Sequence, residues 1–449
     1  MTTGDDRARG RSVPHGRLSR LGLFGRLAGS VAGGMLAEGV RRLADGERPQ
    51  LRDMLLTPTN VSKITDRLSH LRGAAMKLGQ IVSMDTGDFL PAELTQILSR
   101  LRDNAHHMPP AQLQKVLAGE WGADWRTKFA RFDLKPIAAA SIGQVHRAVR
   151  RDGRELAIKV QYPGVAESID ADVDNVAALL KMSGALPRGL DIAPLLVEAK
   201  RQLAEETDYI REGRQMTLFG RLLSDTPEVV VPALAPELST SRVLAMTYLE
   251  GEPIESLETA PQTQRDAVMR TLMTLVLREV FEFGVMQTDP NFANYRLQPT
   301  TGRLVLLDFG AARPVDAATA HAYRDLLRAG MKGDRAQVRE AALVAGFLGP
   351  AVVARHPVAL NNMIDVILRE LNRPGPFDFG DRAFVAALRD QGMVIAADAK
   401  SWHLPPAGVL FAQRKISGTA LLAARLKARV DVRALVSPWL DDAPGKMIA

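Results

Sequence analysis

The period at which apolar residues recur changes along the chain, and each change marks an element. Residues 21–43, LGLFGRLAGSVAGGMLAEGVRRL, read as a helix in which Gly25, Gly29 and Gly33 recur every fourth position. Such a stripe lets a second helix approach closely. Over 51–120 the apolar residues return at three and four spacings, a helical period broken by Pro91, Pro109 and Pro110. The period then shortens to two. Residues 144–149 (QVHRAV) and 154–161 (RELAIKVQ) flank Arg151-Asp152-Gly153, which predicts a β-hairpin. Residues 164–223 return to helix. A strand is expected at 241–250 (SRVLAMTYLE), ahead of Gly251, and a buried strand at 303–310 (RLVLLDFG). Everything beyond about 316 is expected to be helical.

This order gives an α+β chain with two lobes. The divisions expected are 1–50, basic and partly disordered; 51–120, a helical extension; 121–250, a strand-rich lobe with inserted helices; and 251–449, a helical lobe. The chain has 449 residues, 46% hydrophobic and 24% charged, ordinary globular composition. Cysteine is absent, which excludes disulfides and thiolate metal sites and suits a reducing compartment. The net charge is +7, and Arg7, Arg9, Arg11, Arg17, Arg20 and Arg26 crowd the start. Aromatics are sparse at 5% and no basic-aromatic stripe offers bases a stacking surface. Nucleic acid is therefore not an expected partner, whereas an anionic lipid surface is. No stretch reaches the ~18 continuous apolar residues of a spanning helix, and no secretory signal is visible, so a soluble or peripheral protein is expected.

Five pieces carry chemistry, and their order matters more than any one of them. Lys159 follows Leu156, Ala157 and Ile158 on the second hairpin strand. A strand lysine is usually solvated, but one with a carboxylate to orient it can hold the α- and β-phosphates of ATP. One helix is expected to hold Glu205, Glu206, Asp208 and Glu212, and its residues Glu205, Asp208 and Glu212, spaced i, i+3, i+7, share a face. Glu212 is the preferred partner and Glu205 the alternative. In Asp289-Pro-Asn-Phe-Ala-Asn294 the aspartate precedes the asparagine by five, the spacing at which a kinase catalytic loop places its nucleophile-facing acid and a metal-holding amide. Asp308-Phe309-Gly310 ends a buried strand, where a carboxylate is costly unless paired or on a metal, and Mg²⁺ favours such oxygens. Phe377-Asp378-Phe379-Gly380 repeats the motif after a Pro/Gly-rich loop and is read as a decoy. Finally, Ala138-Ala139-Ala140-Ser141-Ile142-Gly143 stands where a kinase has a glycine-rich phosphate loop. Methyl groups there crowd the approach of phosphate to backbone N–H groups, so nucleotide should bind in an altered way. Met246, on the 241–250 strand, is placed with these residues as a nucleotide contact.

The set resembles the UbiB/AarF family of atypical protein-kinase-like proteins. Lys77-Leu78-Gly79-Gln80 matches the KxGQ motif, 138–143 with Gln144 matches the alanine-rich loop, and Glu206-Thr207-Asp208 matches the ExD motif. Gln287-Thr288-Asp289-Pro290-Asn291 is similar to the clade supporting ubiquinone biosynthesis, and departs from the His-bearing pattern of many bacterial relatives. The likeness spans about 15–435 and implies a bilobal protein-kinase-like fold with an N-terminal extension over the active site. It implies ATP and Mg²⁺ as cofactors, with Lys159 and Glu212 gripping phosphate, Asp289 positioning the nucleophile, and Asn294 and Asp308 on the metal. It also places Lys77, Gln80, Glu206, Asp208 and the loop residues Ala138, Ala139, Ala140 and Ser141 near the nucleotide.

A covered site admits water or a small molecule more readily than a protein hydroxyl. The expected function is thus an ATPase-like atypical kinase supporting ubiquinone biosynthesis at a membrane surface, acting on lipid precursors or biosynthetic proteins. A true small-molecule or protein kinase and a non-catalytic nucleotide-gated scaffold are the alternatives. The expected location is peripheral at the inner face of a bacterial membrane, or the matrix side in a mitochondrion. The glycine stripe could instead serve a homodimer.

Overall fold

A computed structural model describes residues 107–140, 142–182, 193–401, 403 and 405–441. The glycine-striped helix, the KxGQ residues Lys77 and Gln80, and Ser141 lie outside the described residues. The chain divides into two compact units, Met1–Thr217 with Pro232–Leu249, and Leu218–Val231 with Glu250–Ala449.

In the first unit, α1 (Pro110–Trp121) starts at a proline in its first turn and stops at Gly122, whose φ is +89°. Strands β1 (Phe129–Phe132), β2 (Ala138–Ala139), β3 (Gly143–Arg150), β4 (Glu155–Gln161) and β6 (Val243–Thr247) form one antiparallel sheet in the order β1-β3-β4-β6, with β2 also on β3. The β3–β4 hairpin turns where the sequence predicts it. Gly153 takes φ +86°, its N–H donates to the Arg150 carbonyl at 3.0 Å, and the Asp152 carboxylate accepts from the Arg154 N–H at 3.1 Å. Alternation then sorts β4 into two faces. Leu156, Ile158 and Val160 enter a core with Leu113, Leu117, Trp125, Phe129, Val243 and Ala245. Each such side chain, removed from water, contributes roughly 2 kcal/mol. Ala157, Lys159 and Gln161 take the other face. Helices α2 (Ile169–Met182), α3 (Ala193–Glu206) and α4 (Tyr209–Leu222) follow.

The second unit holds a four-stranded sheet in the order β5-β10-β9-β7, from β5 (Val229–Val230), β7 (Glu252–Pro253), β9 (Tyr295–Leu297) and β10 (Leu304–Leu306). A ribbon pairs β8 (Val285–Gln287) with β11 (Ala312–Pro314). Leu304, Val305 and Leu306 are all buried, as a continuous apolar run requires. Helix α5 (Gln262–Arg278) passes into a π-helical turn, Glu279–Phe283, closed by Gly284 at φ +63°. The rest is mainly helical: α6 (Ala317–Lys332), α7 (Arg335–Val344), α8 (Pro350–Arg355), α9 (Pro357–Leu371), α10 (Arg382–Ala396), α11 (Ala407–Arg425) and α12 (Val432–Val436).

The expectation of helix everywhere beyond 316 needs one correction. β12 (Phe377–Asp378) pairs with β13 (Arg429–Val430), a two-residue ladder too short to leave a period in the sequence. It accounts for the repeated Phe-Asp-Phe-Gly. Asp378 accepts from the Gly380 N–H at 2.9 Å and from Arg429 Nε at 3.0 Å, a turn and an exposed ion pair.

A buried histidine sits on the core face of β3. His146 Nδ1 donates to the Asp133 carbonyl at 2.8 Å, and its Nε2 accepts from Gln144 Nε2 at 2.9 Å. Burial pushes the imidazole down to about 4, against the Asp133 hydrogen bond, which acts upward. The unfolded chain takes up this proton near pH 6.5, the folded chain only near 4. The stability supplied by neutral His146 is therefore complete above pH 6.5 and is lost as pH falls towards 4. Denaturant midpoints at pH 7 and pH 5 should show about 2 kcal/mol of pH-dependent loss that is missing in His146→Gln.

Candidate functional site

Lys159 lies in β4 opposite Val145 of β3 and Leu244 of β6, so apolar neighbours flank its stem on both sides. Its Nζ donates to both carboxylate oxygens of Glu212, at 2.7 and 2.9 Å, and lies 5.1 Å from the Tyr209 ring centroid. Lysine and glutamate are 8% and 1% exposed, so the pair is held almost wholly out of water. Met246 is buried on the same sheet face, opposite Ala157.

The acids were expected along a single helix, and here the structure corrects the sequence reading. α3 ends at Glu206 and α4 begins at Tyr209. Thr207 turns its hydroxyl to the Ala204 carbonyl at 2.7 Å, and Asp208 accepts from the Arg211 N–H at 2.9 Å, as an N-cap does. Both side chains satisfy local backbone in place of continuing a helix. The break separates the acids. Glu205 faces Arg201 at 2.9 Å and Arg211 at 3.8 Å; Asp208 is exposed, and Glu206 is buried. Glu212 falls in the first turn of α4, where the helix dipole favours an anion.

In the alanine-rich segment, Ala138 and Ala139 pair with Val145 and Gln144, and the Ala140 N–H donates to the Gly143 carbonyl at 2.8 Å. That amide is engaged within its own turn. Gly143 is fixed by proximity: a Cβ there would lie 2.4 Å from the Val160 carbonyl oxygen.

The second unit carries the other three expected residues. Asn294 precedes β9 and Asp308 follows β10, and the ladder Leu304↔Leu297 through Leu306↔Tyr295 continues with the Leu307 N–H donating to the Asn294 carbonyl at 3.0 Å. The hairpin thus brings both residues to one end. Asn294 Nδ2 donates to the Asp289 backbone carbonyl and to its Oδ2, at 3.2 and 3.3 Å, which leaves the amide oxygen on the opposite side. Asp308 Oδ1 accepts from the Gly310 N–H at 3.0 Å, and Phe309 is anchored against Phe219, ring centroids 5.2 Å apart. Asp289 is 9% exposed and lies 3.5 Å from Arg414 Nη2.

One carboxylate and one amide oxygen suit Mg²⁺, which takes one or two carboxylates with phosphate and water completing its shell. Among the described residues no cluster of three His, Cys, Asp or Glu is assembled, so an all-protein metal cage is not formed by them. Sequence reasoning missed Arg414, Lys415, Glu279 and Tyr295. The available signal was an Arg-Lys pair within the acid-free helix AGVLFAQRKISGTALLAAR.

A family model, the ABC1 atypical kinase-like domain, matches residues 100–342. "Atypical kinase coq-8, mitochondrial" of Caenorhabditis elegans is 39% identical, over 93% of this chain and 56% of that protein. "Atypical kinase COQ8, mitochondrial" of Saccharomyces cerevisiae is 37% identical, over 95% and 85%, and "Atypical kinase COQ8B, mitochondrial" of Rattus norvegicus 39%, over 96% and 81%. This chain therefore spans little more than half of the nematode relative and over four fifths of the other two. Among solved structures, the Rv3197–erythromycin complex from Mycobacterium tuberculosis aligns with a TM-score of 0.59 and 27% identity, over 83% of this chain and 93% of that one.

Removing one member of a buried pair strands the other charge. Glu212→Ala should cost about 3–5 kcal/mol, while the combined change Lys159→Met with Glu212→Leu should regain most of it. Chemical denaturation of the three proteins checks this.

Proposed function

This chain belongs to the ABC1 atypical kinase-like family, and we propose that it hydrolyses ATP through the five residues described above. Its fold is α+β and protein-kinase-like. It is an atypical kinase, and its relatives support a role in ubiquinone biosynthesis.

The single observation carrying the reading is the Lys159–Glu212 pair, buried and at hydrogen-bond distance. Stability alone gives little reason to bury two charges, since apolar substitutes of similar volume usually serve as well or better. An ammonium oriented by a carboxylate on a rigid strand is suited to phosphate oxygens. In this reading Lys159 holds the α- and β-phosphates and Glu212 fixes its direction. Ala138, Ala139, Ala140, Ser141 and Met246 contact the nucleotide. Asp308 and the Asn294 amide oxygen hold Mg²⁺, which neutralises charge on the phosphates. Asp289, tied to Asn294, orients the attacking water or hydroxyl. These are positioning and electrostatic roles, as phosphoryl transfer requires. Lys77, Gln80, Glu206 and Asp208 complete the nucleotide's surroundings in the same reading, by the motifs that they match.

The ATPase acts on lipid precursors of ubiquinone or on the biosynthetic machinery, reached at an anionic lipid surface through the basic N-terminal segment. Among the described residues no helix is long and apolar enough to cross a membrane. The relatives named mitochondrial support a mitochondrial location and lend nothing to the bacterial alternative; the matrix side is part of this proposal. A homodimer through the glycine stripe belongs to the same proposal.

The purified full chain should release phosphate from ATP in the presence of Mg²⁺, and Asp308→Asn should lower the rate by about 100-fold. Turnover unchanged in that variant removes the mechanism. Labelled γ-phosphate recovered on an acceptor would replace hydrolysis with transfer.

A further inference from the structure

Helix α11 contains no acidic residue, yet it buries two adjacent cations, Arg414 at 5% and Lys415 at 2% exposure. Neighbours in a helix point about 100° apart, so the two reach different partners, and both sets of partners belong to one loop. Lys415 Nζ donates to the Gln287 side-chain oxygen at 3.2 Å and to the Tyr295 hydroxyl at 2.9 Å. Gln287 immediately precedes the segment 288–294 and Tyr295 immediately follows it. Lys415 therefore ties together the two ends of the loop that carries Asp289 and Asn294. Glu279 secures this tie. It opens the π-helical turn, approaches Lys415 to 3.7 Å through Oε2 and accepts from the Gln287 N–H at 3.2 Å through Oε1. Burial acts to deprotonate Lys415, but Glu279 and Tyr295 outweigh it and move its pKa up, so it stays charged. Burial moves the Glu279 carboxyl up as well, with Lys415 opposing. A π-helical turn costs hydrogen-bond geometry and recurs where a side chain must be aimed.

Arg414 faces Asp289 within the same loop. Its Nη2 is 3.5 Å from Asp289 Oδ1, and neither Nε nor Nη2 has a hydrogen-bond partner among the described residues. A buried guanidinium with donors left over is costly, and methionine would fill the space without that cost. We propose that Arg414 is a positioning residue for the reaction, holding the Asp289 carboxylate in its working direction while Lys415 clamps the loop ends. This rests on the reading that Asp289 orients the nucleophile. It adds that the loop's geometry is set by a helix some 120 residues further along the chain.

The test uses the full chain as wild type, Arg414→Met, Arg414→Lys and Arg414→Ala, with two readouts: amide hydrogen exchange over 287–295, and kcat and KM for ATP. Arg414→Met should keep its melting temperature and its KM. Its kcat should fall by about 100-fold, and exchange over 288–294 should quicken by about tenfold while other segments stay unchanged. Added guanidinium should restore Arg414→Ala towards wild type in both readouts. Arg414→Lys retains charge but loses the planar fork, and should resemble Arg414→Met; it stands in for that variant if methionine prevents folding. Unchanged loop exchange and unchanged kcat overturn the inference. So does a loss that guanidinium does not rescue and that comes with faster exchange throughout the chain. A wild type without turnover refutes the ATPase reading instead, and loop exchange with its guanidinium rescue still decides whether Arg414 positions Asp289.

Discussion

An ammonium and a carboxylate taken out of water together set the terms for the first unit. Lys159 Nζ and the Glu212 carboxylate meet at 2.7 Å, and the contact lets each offset part of the other's cost of leaving water. Everything around the pair serves that arrangement. β4 is held in register on both sides, by Val145 and by Leu244. The break at 207–208 restarts the helix so that Glu212 comes inward in its first turn. Gly143 lets the alanine-rich turn approach the Val160 carbonyl, at a spacing no Cβ would tolerate.

The second unit solves a related problem with a hairpin. Asp308 and Asn294 come from segments separated by a strand, a turn and a second strand, and the β9–β10 ladder brings them to one end. Asn294 joins this pair to Asp289 through its amide hydrogens and turns its oxygen the other way. Rigid backbone pairing fixes where these side chains stand. The arginine and lysine of α11 extend the same logic, since Lys415 joins the two ends of the Asp289 loop and Arg414 meets Asp289 within it.

The legible parts were those with local causes. The hairpin could be read because its alternation and its Asp-Gly turn are contiguous, and the face on which Lys159 stands follows from that alternation alone. Asp308 could be read because a carboxylate at the end of Leu-Val-Leu-Leu is anomalous. The helix break was hidden, because Thr207 and Asp208 fit a helix pattern until their capping bonds are seen. Two-residue strands such as β12 and β13 leave no period. Arg414 and Lys415 were hidden because a sequence does not reveal burial, and a basic pair on a helix is usually solvated. Their partners lie more than a hundred residues earlier.

The central claim is that the buried pair exists for a nucleotide and not for the fold. It is tested most directly by the affinity of Lys159→Met with Glu212→Leu for ATP with Mg²⁺, measured by calorimetry on protein shown to be folded. A folded protein that binds ATP at least tenfold more weakly, about 1.4 kcal/mol or more, is the expected result. A folded protein that binds ATP as tightly as wild type would contradict the account.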